Sequence, residues 1–365
     1  MMKTKTLVIT IMLIFLSLLI SGCRGSGFIA GSWPGITVDG DTAYIAYNQA
    51  IYSIDLTDEG DQIDTFPAEP VRGGTFYHAP LLLEDGTMIE GSYNNKIYSI
   101  DLESGAVKEF FNTTKNRWIA SLVFEDGLIY APNSNGTLYA INLDGESPWN
   151  VETGAAIWAK PLLDNGRLYI ASQDHYLYAI NASTGNEIWK TDLGASAVNS
   201  PVMDENGTLY IGSFGRKVFA INSDSGSVEW EFDTQGWVWG SPILGVDNTL
   251  YATDLDANLY ALDTTDGSLI WDKQVQAGTS ITGSPLLYNE ALFVVTRSGS
   301  IAAYDLQGER LWKEEIGTEE NGIEFHGTPV LAGENLILVS AVGSEQIIFA
   351  FNDKLESLWQ FTPAN

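Results

Sequence analysis

Short apolar runs separated by turn signals dominate this chain. "TLYIGS" (208–213) and "ALFVVT" (291–296) are rich in β-branched and aromatic residues, and each is followed within a few residues by a second run, "KVFAIN" (217–222) or "SIAAYD" (300–305). The pattern predicts β-strands. Asp85-Gly86, Asp126-Gly127, Asn165-Gly166 and Asn206-Gly207 stand ahead of such runs. These dipeptides accept the positive φ angles of tight hairpins. Further upstream comes a shorter apolar piece entered by Ser-Pro, as in "SPVMD" (200–204), "SPILG" (241–245) and "SPLLY" (284–288). Each unit ends on an Asp or Asn, then a Gly, then a Trp four residues after the Gly, as in Asn181, Gly185 and Trp189. The Asx side chain can fold back on the backbone there, and the Gly takes the left-handed position.

The unit recurs. Its Asx anchor falls at Asp55, Asp101, Asn142, Asn181, Asn222, Asp263, Asp305 and Asn352, at intervals of 39 to 47 residues. Eight copies fill the chain from about residue 33 onward. Each predicts four short strands joined by hairpins. Runs such as "LYAL" (259–262) carry apolar residues on both faces, so one such sheet cannot be stable alone. Radial stacking of the sheets buries both faces and leaves only short edges. The expected fold is all-β, an eight-bladed β-propeller of four-stranded antiparallel blades. The closing tryptophans (Trp149, Trp189, Trp230, Trp271, Trp312, Trp359) are expected to wedge between neighbouring blades.

The stretch Gly207–Trp230, "GTLYIGS…KVFAINSDSGSVEW", resembles the pyrroloquinoline-quinone (PQQ) repeat. The resemblance is close in copies 4 to 7 and degenerate in copies 1 to 3 and 8. "AVKEFF" (106–111) lacks the Trp, and no Gly follows Asn352 at the expected offset. The family spans enzymes, sensors and scaffolds. For a quinone-dependent dehydrogenase the resemblance would imply adjacent cysteines, a carboxylate base, bound calcium and long insertions between blades. The propeller region has no cysteine and nearly uniform repeats. The expectation is therefore no cofactor, no catalytic residues and no enzyme.

The first 23 residues break the pattern. Lys3 and Lys5 precede an apolar run from Leu7 to Ile20, and Ser21-Gly22-Cys23 follows. A basic start, a short apolar run and small residues make an export signal. Ile20-Ser21-Gly22-Cys23 resembles the lipobox of bacterial lipoproteins, in which the cysteine is acylated and becomes the new N-terminus. Cys23 is the single cysteine of the chain, so lipidation would account for all cysteine usage. The expected organisation is a signal peptide over 1–22, a lipidated tether over 23–32 and the propeller over 33–365. The protein is expected to be exported and lipid-anchored to the cell envelope: to the outer membrane where the organism has one, otherwise to the outer face of the plasma membrane.

Charge narrows the partners. Forty-seven acidic residues oppose 18 basic ones, for a net −29. Such a surface repels phosphates, so no nucleic-acid partner is expected.

Candidate chemistry is sparse. His78, His175 and His326 lack metal-ligand spacing. Asp254-Leu-Asp-Ala-Asn258 looks like the start of a calcium loop but lacks its Gly and distal Glu, and reads as solvated turn acids. Glu314-Glu315 and Glu319-Glu320 read as solvated charge. No metal site is expected.

One pattern stands out when the copies are aligned on the Pro of Ser-Pro. Three residues earlier stand Gly31, Tyr77, Ile119, Trp158, Val198, Trp239, Thr282 and His326. Even-numbered copies carry a flat ring and odd-numbered ones something smaller, with Trp118, Trp237 and Phe325 near in sequence. Tyr77, Trp158, Trp239 and His326 are thus candidates for an aromatic binding site at one mouth of the central channel. Alternation of large and small residues to fill a tapering centre is the other reading of the same pattern.

Size, lipobox and blade count together resemble the BamB family, propeller lipoproteins of the outer-membrane β-barrel assembly machinery. The resemblance implies a non-catalytic, monomeric envelope scaffold holding a protein partner. The competing expectation is an extracytoplasmic ligand-binding or sensing propeller that uses the aromatic mouth.

Overall fold

The computed structural model describes residues 34–364, apart from residues 72, 114–115, 272–274 and 319–320. Cys23, the expected signal peptide and tether, Gly31, Glu319 and Glu320 lie outside the described residues. The described chain forms eight antiparallel sheets arranged in a ring, an eight-bladed β-propeller, and contains no helix.

Blade 5 shows the common plan. Its strands are Val202–Met203, Thr208–Ser213, Lys217–Asn222 and Val228–Asp233, paired in sequence order from the axis outward. The Ser-Pro piece is the short inner strand. The second and third strands are almost wholly buried, whereas the outer strand alternates exposed and buried positions. Blade 8 departs from the plan. Its inner strand is split into Glu324–Phe325 and Val330–Ala332, both paired with Leu336–Val342. His326, Gly327 and Pro329 lie in the break, where Pro329 has no N–H to give to a ladder.

The recurring "Y-A-…-W" grammar has a geometric cause. Tyr210 pairs with Ala220, and Ala220 with Trp230, so the three occupy one row across the sheet. The small central Ala lets the two rings close to 5.7 Å between centroids. Blades 3, 4 and 6 bring their Tyr and Trp to 5.9 Å in the same way.

Each Trp then reaches the next blade. Trp189, Trp230 and Trp271 donate their Nε1–H at 2.9 Å to the carbonyls of Ser223, Thr264 and Leu306. Their ring faces lie on the turn glycines Gly226, Gly267 and Gly308, where an added Cβ would meet ring carbons at 3.0 Å or less. The turn glycine is therefore required twice, for its positive φ (74° at Gly267) and for this close approach. Asx side chains hold the turns: Ser183 and Thr184 donate backbone N–H groups to Asn181 Oδ1 at 3.1 and 3.0 Å. The tryptophans are thus inter-blade wedges, as their spacing predicts.

Among the described residues each blade takes its strands from one contiguous stretch, with no strand exchanged between blades. Closure rests on side chains. Leu338, Ile348, Ala350 and Phe361 of blade 8 pack with Ile45 and Ile54 of blade 1, and Trp359 lies on Gly60.

Candidate functional site

Six blades contribute equivalent residues to one cavity of about 230 Å³. A space lined by equivalent positions of six blades lies on the axis of the ring, where the chain crosses from one blade's outer strand to the next blade's inner strand. It has two tiers. The upper tier is Ile119, Trp158, Val198, Trp239, Thr282 and His326. Two residues further along each chain the lower tier is Ser121, Lys160, Ser200, Ser241, Ser284 and Thr328. The chain bends at the residue between them, as at Ala120, Ala159, Asn199, Gly240 and Gly283, and that residue is buried and borders the cavity as well.

The structure therefore brings three of the four candidate rings, Trp158, Trp239 and His326, to one mouth. Tyr77 is not among the residues lining that cavity. Its ring stacks on Tyr93 at 4.1 Å, and Arg117 sits over the far partner, 4.5 Å from the Tyr93 centroid. Its neighbour His78 lines the cavity instead. Of the three nearby aromatics, Trp118 and Phe325 are fully buried and belong to the core, while Trp237 is 50% exposed. Phe214 links Trp237 to Trp239, with centroids 5.2 and 5.3 Å away. Trp158 is 38% exposed, so it too presents ring surface to solvent.

The electrostatics of the mouth are mixed. His326 Nε2 lies 2.6 Å from Glu324 Oε2, and Arg297 reaches the same oxygen at 3.5 Å. Burial nevertheless keeps the His326 pKa below its ordinary value, against the pull of Glu324. Burial also opposes ionisation of Glu324, but the hydrogen bond from His326, its charge and that of Arg297 leave the carboxyl below the usual range. His78 is driven down to about 4 by burial. Its Nδ1 lies 3.3 Å from Oε2 of Glu90, a fully buried carboxyl that burial pushes well upward.

The calcium-like stretch at 254–258 is explained otherwise, and its reading as solvated acids is corrected at Asp254. That carboxylate is buried and accepts the N–H groups of Gly236, Asp256 and Asn258 at 2.8–3.0 Å and the Tyr260 hydroxyl at 2.7 Å. Oxygens so engaged hold a turn. Among the described residues no cluster of three His, Cys, Asp or Glu is placed to hold a metal ion.

Fold and repeat define a PQQ-like eight-bladed propeller. Residues 134–351, more than half of the chain, match the family described as "Outer membrane protein assembly factor BamB", and the chain belongs to that family. Among curated relatives it is similar to the BamB proteins of Burkholderia pseudomallei (24% identical over 119 residues, 32% of this chain and 30% of that one) and Salmonella typhimurium (29% over 94 residues, 23% and 24%). The matched stretch thus spans under a third of each curated relative. Among solved structures, BamB from Moraxella catarrhalis superposes with a TM-score of 0.64 at 18% identity, covering 78% of this chain and 88% of that one. The computationally designed Ika8 protein superposes at 0.71 with 12% identity, covering 90% and 96%. At these identities the structural matches speak for the fold alone.

Proposed function

We propose that this chain is an exported, lipid-anchored, non-catalytic scaffold of the cell envelope that works in outer-membrane protein assembly as a monomer. The observation that carries this reading is the family match across blades 3 to 8. Uniform blades support it, because the connections between them leave no insertion large enough to lid a cofactor. In the proposed organisation residues 1–22 are removed, Cys23 carries lipid, residues 23–32 form the tether, and the propeller engages an envelope protein. A tether of about 10 residues at roughly 3.3 Å each reaches at most ~33 Å, so the propeller stays close to its membrane.

Two measurements test this. Deleting the gene in its own host is expected to lower the steady-state level of outer-membrane barrel proteins, and a tagged chain cross-linked in cells should co-purify with the barrel-assembly complex. Unchanged barrel levels together with no such partner would overturn the scaffold reading. Separately, Cys23→Ala should shift the protein from the membrane to the soluble fraction and remove an acyl mass from its N-terminus. A Cys23→Ala protein that still sediments with membranes, beside wild type without acyl mass, would overturn the anchor.

A further inference from the structure

We propose that the channel mouth is a binding site for a single carboxylate carried on a flat apolar ring. The inference goes beyond the scaffold reading and stands whether or not that reading holds. Its basis is the two-tier construction of the cavity. The upper tier offers ring faces at Trp158 and Trp239, with Trp158 open to solvent. The lower tier offers hydrogen-bond donors: five hydroxyls and one ammonium, that of Lys160.

Three observations assign the charge of the ligand. First, Lys160 makes no ion pair and no hydrogen bond with the described residues, in a chain where acids outnumber bases 47 to 18. It is the one lysine or arginine among the residues that line the cavity. Second, the hydroxyls are oriented. Ser241 Oγ accepts the N–H of Ser200 at 3.0 Å, and Thr328 Oγ1 accepts the N–H of Ser284 at 2.9 Å, each from the preceding blade. A hydroxyl that accepts from the wall keeps its own hydrogen for another acceptor. No described group takes it, and both residues line the cavity, so each can donate to a ligand there. Third, Lys160 and Trp158 lie two residues apart in the chain and both line the cavity, so ammonium and ring border one space. An anion held at the lower tier therefore has its apolar body beside the tryptophan. One cation amid so many acids favours a monoanion over phosphates or polycarboxylates.

A free aromatic acid and the C-terminal residue of a polypeptide share this chemistry. N-acetyl-phenylalanine titrated by calorimetry into the full propeller is expected to bind at least tenfold tighter than its amide. Lys160→Gln should remove that preference, Lys160→Arg should retain it, and Trp158→Leu should weaken acid and amide alike. Both side chains are exposed, so the fold should survive, and unchanged thermal unfolding checks that it has. Equal binding of acid and amide, or no effect of Lys160→Gln, would overturn the proposal, as would no heat at millimolar probe. A pentapeptide acid ending in phenylalanine separates the sources. Tighter binding than N-acetyl-phenylalanine supports a chain terminus, and equal binding supports a free acid.

Discussion

Replacing Trp230 with alanine is expected to lower the free energy of unfolding by about 3–5 kcal/mol, the range for a large aromatic removed from a core. The ring is 9% exposed and touches two blades. It stacks on Tyr210 within its own blade, covers Gly267 in the next, and donates to the Thr264 carbonyl. The loss should appear as one cooperative transition at lower denaturant, because each blade rests on its neighbours. Gly267→Ala probes the same contact from the other side. Its Cβ would lie 2.6 Å from Trp230 Cε3, at a φ of +74°. In the Trp230→Ala background the clash is gone and only backbone strain of about 1–2 kcal/mol remains. The two substitutions should therefore be less than additive by more than about 1 kcal/mol. Strict additivity, or a loss below about 1 kcal/mol for Trp230→Ala, would show that the ring is not a wedge.

The repeat carries its own fold because its residues serve contacts made in every blade. Asx, Gly and Trp recur where one blade meets the next, and a single sequence displays all three. Where the grammar lapses, the structure shows different means to the same end. Blade 8 has no turn glycine, and Leu355 occupies that place at φ 61° with its side chain buried against the cluster that receives Trp312. The burial of an apolar side chain there offsets a backbone conformation that leucine rarely adopts. Position in the turn could not reveal this, because the compensation comes from residues distant in sequence.

The site was legible in part. Alignment on the Ser-Pro proline places Trp158, Trp239 and His326 together, since a fixed offset along equivalent strands is a fixed height on the axis. It fails at Tyr77, whose ring is captured by Tyr93, a residue of the neighbouring hairpin turn. It fails likewise at Trp118 and Phe325, one position before the ring. Period-two alternation turns that position toward the core, where Ile157, Ala197, Val238 and Ile281 are buried as well. Lys160 escaped notice because nothing in "AKP" distinguishes a channel lysine from a surface one. Only the fold brings it to one cavity with five hydroxyl-bearing residues of other blades.

Glu90→Ile should make the protein more stable, by on the order of 1–3 kcal/mol near neutral pH, because it removes a buried carboxyl without a hydrogen-bond partner while the neighbouring His78 is kept uncharged by burial. Glu90 occupies the place held by Ile45, Ile170 and Ile211 in blades 1, 4 and 5, opposite an aromatic residue of the third strand in each case. It is fully buried, and neither carboxyl oxygen has a hydrogen-bond partner among the described residues. The pH dependence gives the sharper test. Burial raises the folded pKa of Glu90 above its unfolded value, so the folded state binds the extra proton. The associated stability is complete below the ordinary carboxyl pKa and is lost as pH rises toward the folded one. His78 has the opposite sign: its folded pKa is depressed to about 4, so stability is lost as pH falls from the ordinary imidazole range toward that value. Between those ordinary values, roughly pH 4.5 and 6.5, the two slopes oppose each other. Above that window Glu90 is the one of the two that still contributes, and wild type should weaken relative to Glu90→Ile by up to about 1.4 kcal/mol per pH unit. Other carboxyls cancel in the comparison. Urea unfolding of both proteins at pH 5 and pH 8 should show the variant's advantage growing with pH. An advantage that stays constant, or a variant less stable at pH 8, would mean that the Glu90 carboxylate is held ionised by partners worth more than its burial.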